Sequence, residues 1–87
     1  MNKDNVSVII PAYNEANVIG KIVETIKDLY PGIEIVVVND GSSDGTEIAA
    51  AEAGAVVYNH PYSIGNGAAI KTGIRKAKGA VLVFMDG

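Results

Sequence analysis

Four short apolar runs, each closed by turn-forming residues, alternate along the chain with three segments read as helices. Val6 to Pro11 is unbroken and rich in β-branched residues, the signature of a strand buried on both faces. After Ala12-Tyr13-Asn14, apolar residues at Val18, Ile19, Ile22, Val23, Ile26 and Leu29 mark one helix face, with Asn14 as the predicted N-cap and Pro31-Gly32 as the stop. Ile33 to Asn39 repeats the buried-strand pattern and enters the polar turn Asp40 to Thr46, where Asp44 and Glu47 have capping-box spacing. Ala49 to Ala53 favours helix, and Gly54 stands where a left-handed terminator is expected. A short strand is predicted at Ala55 to Tyr58. The Pro- and Gly-broken loop Asn59 to Gly67 then opens into a helix from about Ala68 to Lys78, and Gly79 leads into a fourth strand, Ala80 to Asp86.

The alternation β-α-β-α-β-α-β with short connections predicts an α/β domain, residues 1–87, with parallel strands and right-handed crossovers. Composition fits this reading, with 48% apolar and 20% charged residues in 87. A net charge of −3 removes the electrostatic case for nucleic acid. There is no cysteine, hence no disulfide framework and no thiolate metal site, which suits a reducing, cytoplasmic setting. No apolar run approaches the roughly 18–20 residues of a membrane span, and Met1 to Asn5 is not followed by a signal-peptide core.

Parallel strands bring their C-terminal turns to one sheet edge, where open α/β folds bind ligands. Glu15, Asp40 and Asp86 are expected there, around a crevice in which carboxylates accept hydrogen bonds from ribose hydroxyls or base N–H groups and help hold a divalent cation. Spacing alone leaves a second reading open, with Asp40 organising an Asx-turn and Glu15 complementing a helix dipole.

Four motifs in order add to this: Pro-Ala-Tyr-Asn-Glu from Pro11, Asn-Asp-Gly-Ser-Ser-Asp-Gly-Thr from Asn39, Gly-Asn-Gly-Ala-Ala-Ile-Lys-Thr-Gly from Gly65, and Phe-Met-Asp-Gly from Phe84. Together they resemble the N-terminal half of an inverting family 2 glycosyltransferase of the GT-A fold, closest to the dolichyl-phosphate mannose or glucose synthase-like branch, over residues 6–87. The resemblance implies a three-layer αβα sandwich with strand order 3-2-1-4 and a UDP- or GDP-sugar donor. Pro11, Ala12, Tyr13 and Glu15 then line the nucleoside pocket, Asp40 reads the base, and Gly41 and Ser42 form the turn beside it. Gly67, Ala68 and Lys71 close over the nucleotide, and Asp86 is the first carboxylate of an Asp-x-Asp motif that coordinates Mg²⁺ or Mn²⁺. The resemblance also implies an acceptor such as polyprenyl phosphate, and work at the cytoplasmic face of a membrane for the full-length protein.

The second carboxylate of that motif falls at position 88, and the family's general base belongs to its second half. Residues 1–87 are therefore expected to form an incomplete metal site and to bind donor without transferring sugar. The alternative expectation is a non-catalytic α/β module that self-associates through an exposed edge strand. Gly65-Asn66-Gly67 lacks the third glycine of a dinucleotide fingerprint. Lys71, Arg75, Lys76 and Lys78 are read as a solvated helix face, with Lys71 nearest the crevice, and His60, Tyr58 and Tyr62 as loop or packing residues.

Overall fold

The computed structural model describes residues 5–79 and 81–84. Its elements are β1 (Val6–Ala12), α1 (Ala16–Leu29), β2 (Glu34–Asn39), α2 (Thr46–Ala53), β3 (Val56–Asn59), α3 (Asn66–Lys76) and β4 (Val81–Phe84). All strands run parallel in the order β3-β2-β1-β4, as the family resemblance implied. The register sets Ala12 opposite Asn39, and Asn39 opposite Asn59, so three strands end level at one edge.

The two central strands explain the unbroken apolar runs. Val8, Ile10, Ala12, Ile35 and Val37 face α1 and α2, where they pack with Ile19, Val23, Ile26 and Ala50. Ile9, Val36 and Val38 face the other way and meet Ala69 of α3. Helices on both faces complete the sandwich, and period-2 alternation within β1 and β2 feeds both cores. At the opposite end of the sheet, buried Ser7 donates to Glu34 Oε1 (2.7 Å) and accepts from the Gly79 amide (2.8 Å). The Lys78 amide also donates to Glu34 Oε1 (2.8 Å), which anchors the approach to β4.

Helix ends depart from expectation for reasons of capping. Asn14 is not the N-cap of α1: it sits at φ 52° and its side chain serves the neighbouring turn, leaving Glu15 at the cap. The Asp44–Glu47 capping box does not form, because left-handed Gly45 is the N-cap of α2. Gly54 does terminate α2, with its amide on Ala51 O and that of Ala55 on Ala50 O, a Schellman closure. That closure consumes Ala55, so β3 starts at Val56. Helix α3 starts at Asn66 and ends at Lys76, where Ala77 turns extended. Both limits fall two residues before the predicted ones.

Candidate functional site

The β1–α1 and β2–α2 turns are laced together. The Asn14 amide donates to Ser42 Oγ (2.8 Å), and Asn14 Oδ1 accepts from the Ser43 amide (2.9 Å). The Glu15 amide donates to Thr46 Oγ1 (2.9 Å) and the Ala16 amide to Asp44 Oδ2 (3.1 Å). Asp44 Oδ1 accepts from the Thr46 amide (3.0 Å) and hydroxyl. The amides of the N-cap Glu15 and of Ala16, the first residue of α1, are thus satisfied from the next turn rather than by a local cap. The Thr46 hydroxyl, partial burial opposing, and the Ala16 and Thr46 amides hold the Asp44 carboxyl below the usual carboxylate range.

A second set of bonds ties the β2–α2 turn to the loop after β3. Asp40 is 5% exposed. Its Oδ1 accepts from the Ile64 amide (2.9 Å) and pairs with His60 Nδ1 (2.8 Å). Its Oδ2 accepts from the Gly65 amide (2.9 Å) and the Ser63 hydroxyl (3.0 Å). Four donors use the whole acceptor capacity of a carboxylate. They outweigh burial, which alone raises the pKa, and bring it from 3.8 to about 2. The backbone requires the same closeness. Gly41 sits at φ +76°, and a Cβ there would fall 2.5 Å from Tyr62 C and Ser63 N.

His60 has both ring nitrogens engaged, since Nε2 lies 2.8 Å from Thr72 Oγ1 on α3. Arg75 Nη2 reaches the same hydroxyl at 3.5 Å. Behind this, Asn39 donates to Asn59 Oδ1 (3.1 Å) and accepts from the Ser42 amide (3.2 Å).

The expected residues fall into three groups. Pro11 and Ala12 are buried at the end of β1, while Tyr13 is exposed and Glu15 half-buried, with Oε1 on the Tyr13 amide (3.3 Å). Asp40, Gly41 and Ser42 stand at the same edge. The Asp40 carboxylate, expected to read a base, is bonded by the 60–65 loop, Gly41 makes room for that loop, and half-buried Ser42 accepts the Asn14 amide at the rim. Gly67 and exposed Lys71 lie on α3 with open space around the Gly67 Cα, and Ala68 is half-buried. Asp86 lies outside the described residues. Among the described residues, no group of three or more His, Asp or Glu side chains is placed to hold a metal ion.

Sequence reading missed His60, Ser63 and Thr72. One signal was available, because Tyr13, Asp40 and His60 are each the first residue after a strand, and the register sets those ends level.

A parallel sheet whose C-terminal turns form one polar rim defines the ligand-binding part of an open α/β fold. The chain belongs to glycosyl transferase family 2, whose model matches residues 7–87. Glucosyl-3-phosphoglycerate synthase of Mycolicibacterium smegmatis is 38% identical over 90 residues, which cover 93% of this chain and 30% of that protein. Dolichyl-phosphate beta-glucosyltransferase ALG5D of Trichomonas vaginalis is 40% identical over 95 residues, covering 93% and 29%. Among solved structures, mannosyltransferase PcManGT from Pyrobaculum calidifontis, in complex with GDP-Man and Mn²⁺, superposes with a TM-score of 0.85 at 33% identity, covering 94% of this chain and 27% of that one. Glucosyl-3-phosphoglycerate synthase from Mycobacterium tuberculosis, in complex with Mn²⁺, UDP and glucosyl-3-phosphoglycerate, gives 0.82 at 32% identity, covering 94% and 32%. The chain therefore spans less than a third of the length of these relatives. No helix among the described residues is long and apolar enough to cross a membrane.

Proposed function

We propose that residues 1–87 form the donor-binding part of a glycosyltransferase, taking a UDP- or GDP-sugar at the rim of turns after β1, β2 and β3. The observation that carries this is the coincidence of family membership over 7–87 with a rim whose three turns are bonded to one another through Asn14, Asp44 and Asp40. Preorganised turns lower the ordering cost of binding.

Tyr13, Glu15 and Ser42 supply the exposed or half-buried groups for the nucleoside, with Pro11 and Ala12 fixing where that segment leaves the sheet. Gly67 and Ala68 open the first turn of α3, and Lys71 brings a cation for phosphate. Asp40 acts here by holding the 60–65 loop. A divalent cation is assigned to Asp86 together with donor oxygens, on the resemblance of Phe84-Met85-Asp86-Gly87 to the family's metal motif and on the Mn²⁺ present in solved relatives. When bound, it offsets the charge of the leaving diphosphate. His60, the single histidine, is engaged at both nitrogens and is not the general base.

The relatives are named for a phosphoglycerate product and for dolichyl phosphate. The acceptor proposed for the whole protein is accordingly a phosphate-bearing molecule, polyprenyl phosphate being the lipid form of that class. Transfer assays on the whole protein with 3-phosphoglycerate and with polyprenyl phosphate separate the two. Donor binding is tested on this chain by amide NMR titration with UDP-glucose and GDP-mannose plus Mg²⁺. Shifts at Tyr13, Glu15 and Ser42 are expected, and no response at millimolar nucleotide removes donor binding from these residues.

A further inference from the structure

We infer that His60 is a positioning residue of the donor rim: through Nδ1–H it fixes the Asp40 carboxylate against the 63–65 segment, and through Nε2 it ties that assembly to Thr72 of α3. The inference rests on the donor-binding reading for its functional consequence but on geometry alone for its structural one. Asp40 is ionised and its carboxylate can only accept, so the hydrogen of the 2.8 Å contact belongs to His60 Nδ1. With Arg75 donating to Thr72 Oγ1, the threonine hydroxyl hydrogen is free to point at Nε2. The imidazole therefore donates to Asp40 at Nδ1, and its Nε2 shares a second hydrogen bond with the Thr72 hydroxyl. With a side chain only 10% exposed, the ring is held between two elements rather than hanging from a loop.

The consequence runs through Asp40 to the backbone. Ile64 and Gly65 present their amides to one carboxylate, and Gly65 is the N-cap of α3. Where the His60 ring sits thus sets where Tyr62 to Gly65 and the start of α3 stand relative to the β2–α2 turn. No other side chain bonds both Asp40 and α3 among the described residues.

The experiment uses the 87-residue chain with His60→Phe, which keeps the ring and loses both bonds, and His60→Asn, whose amide N–H occupies the place of Nδ1–H. Nitrogen NMR of the wild-type imidazole is expected to show a hydrogen on Nδ1. In the absence of nucleotide, the Ile64 and Gly65 amides are expected to exchange with solvent at least about tenfold faster in His60→Phe, with β1 and β2 amides unchanged and protection restored in His60→Asn. UDP or GDP affinity with Mg²⁺ is expected to follow the same order. A wild-type ring with no hydrogen on Nδ1, or Ile64 and Gly65 protection indifferent to His60→Phe, overturns the inference. Should His60→Phe not fold, the wild-type tautomer and the His60→Asn protection decide it. A wild-type chain that binds no nucleotide but shows the exchange pattern defeats the donor reading and leaves the positioning role standing.

Discussion

Asp40 concentrates the energetics of the rim in one residue. Its carboxyl is buried, which raises the pKa, yet the Ile64 amide, the His60 ring, the Gly65 amide and the Ser63 hydroxyl bring it to about 2 from 3.8. A depressed folded-state pKa means the unfolded chain binds more protons between these values, so the stabilisation is complete above about pH 4 and is lost as pH falls toward 2. It amounts to something on the order of 1–2 kcal/mol once solvent screening at the rim is allowed for. Asp40→Asn is expected to lower stability at pH 7 by about 1–3 kcal/mol, because its amide faces the Gly65 N–H and leaves a donor unmatched. Urea unfolding from pH 7 to pH 2 checks both statements: the wild-type slope between pH 4 and 2 flattens in the variant. Gly41→Ala is expected to cost about 2 kcal/mol or more, since it combines a φ of +76° with a Cβ against the Tyr62–Ser63 backbone. Thermal unfolding reads it. Sequence placed Asp40 and Gly41 at the right turn, and it named the Asx-turn alternative. It could not supply their partners, because Ser63, Ile64 and Gly65 lie more than 20 positions away in a loop without periodicity.

Elements were more legible than their joints. Buried strands announce themselves by composition, and the helix face of α1 by spacing, so every element was readable with its type. Their boundaries follow hydrogen bonds that cross between turns: Asn14 leaves its expected cap because Ser43 offers its amide, and Asp44 accepts from the Thr46 amide and also from the Ala16 amide of α1. Close packing was equally invisible. Gly73 on α3 is buried against β1, and a Cβ there would overlap Ile9 Cγ2. A helix glycine normally costs about 1 kcal/mol relative to alanine, so its presence is explained by contact rather than propensity. Gly73→Ala is accordingly expected to destabilise by about 1–3 kcal/mol despite its better helix propensity, with α3 lifted from the sheet. Urea unfolding of Gly73→Ala, Ile9→Ala and the double variant checks this. The cost of Gly73→Ala should largely vanish in the Ile9→Ala background, as expected for two residues in contact.

At the scale of the molecule, the sheet separates charge as well as core. Lys71, Arg75, Lys76 and Lys78 all belong to α3 or the segment just after it, and no acidic residue occurs between Gly54 and Met85. Helices α1 and α2 on the other face carry Glu24, Asp28, Glu47 and Glu52 against Lys21 and Lys27. The four cations on and just after α3 are thus set against a net negative remainder of the chain, within which α1 and α2 together are only weakly acidic. The edges of the described sheet differ from its centre. Val83 and Phe84 of β4 are 42% and 48% exposed, and Val56 of β3 is 43% exposed, whereas Ile9 and Val36 are fully buried. An apolar edge with unpaired backbone groups is a template for another strand. The 87-residue chain is therefore expected to associate through β4, with a weight-average sedimentation coefficient that rises across the micromolar range. Phe84→Lys, which places a charge on that edge while leaving the rim after β1, β2 and β3 untouched, should hold the chain monomeric at the same concentrations. If β3 is the adhesive edge instead, Val56→Lys abolishes association and Phe84→Lys does not. A wild-type chain that sediments as a monomer at every concentration rules out association through either edge.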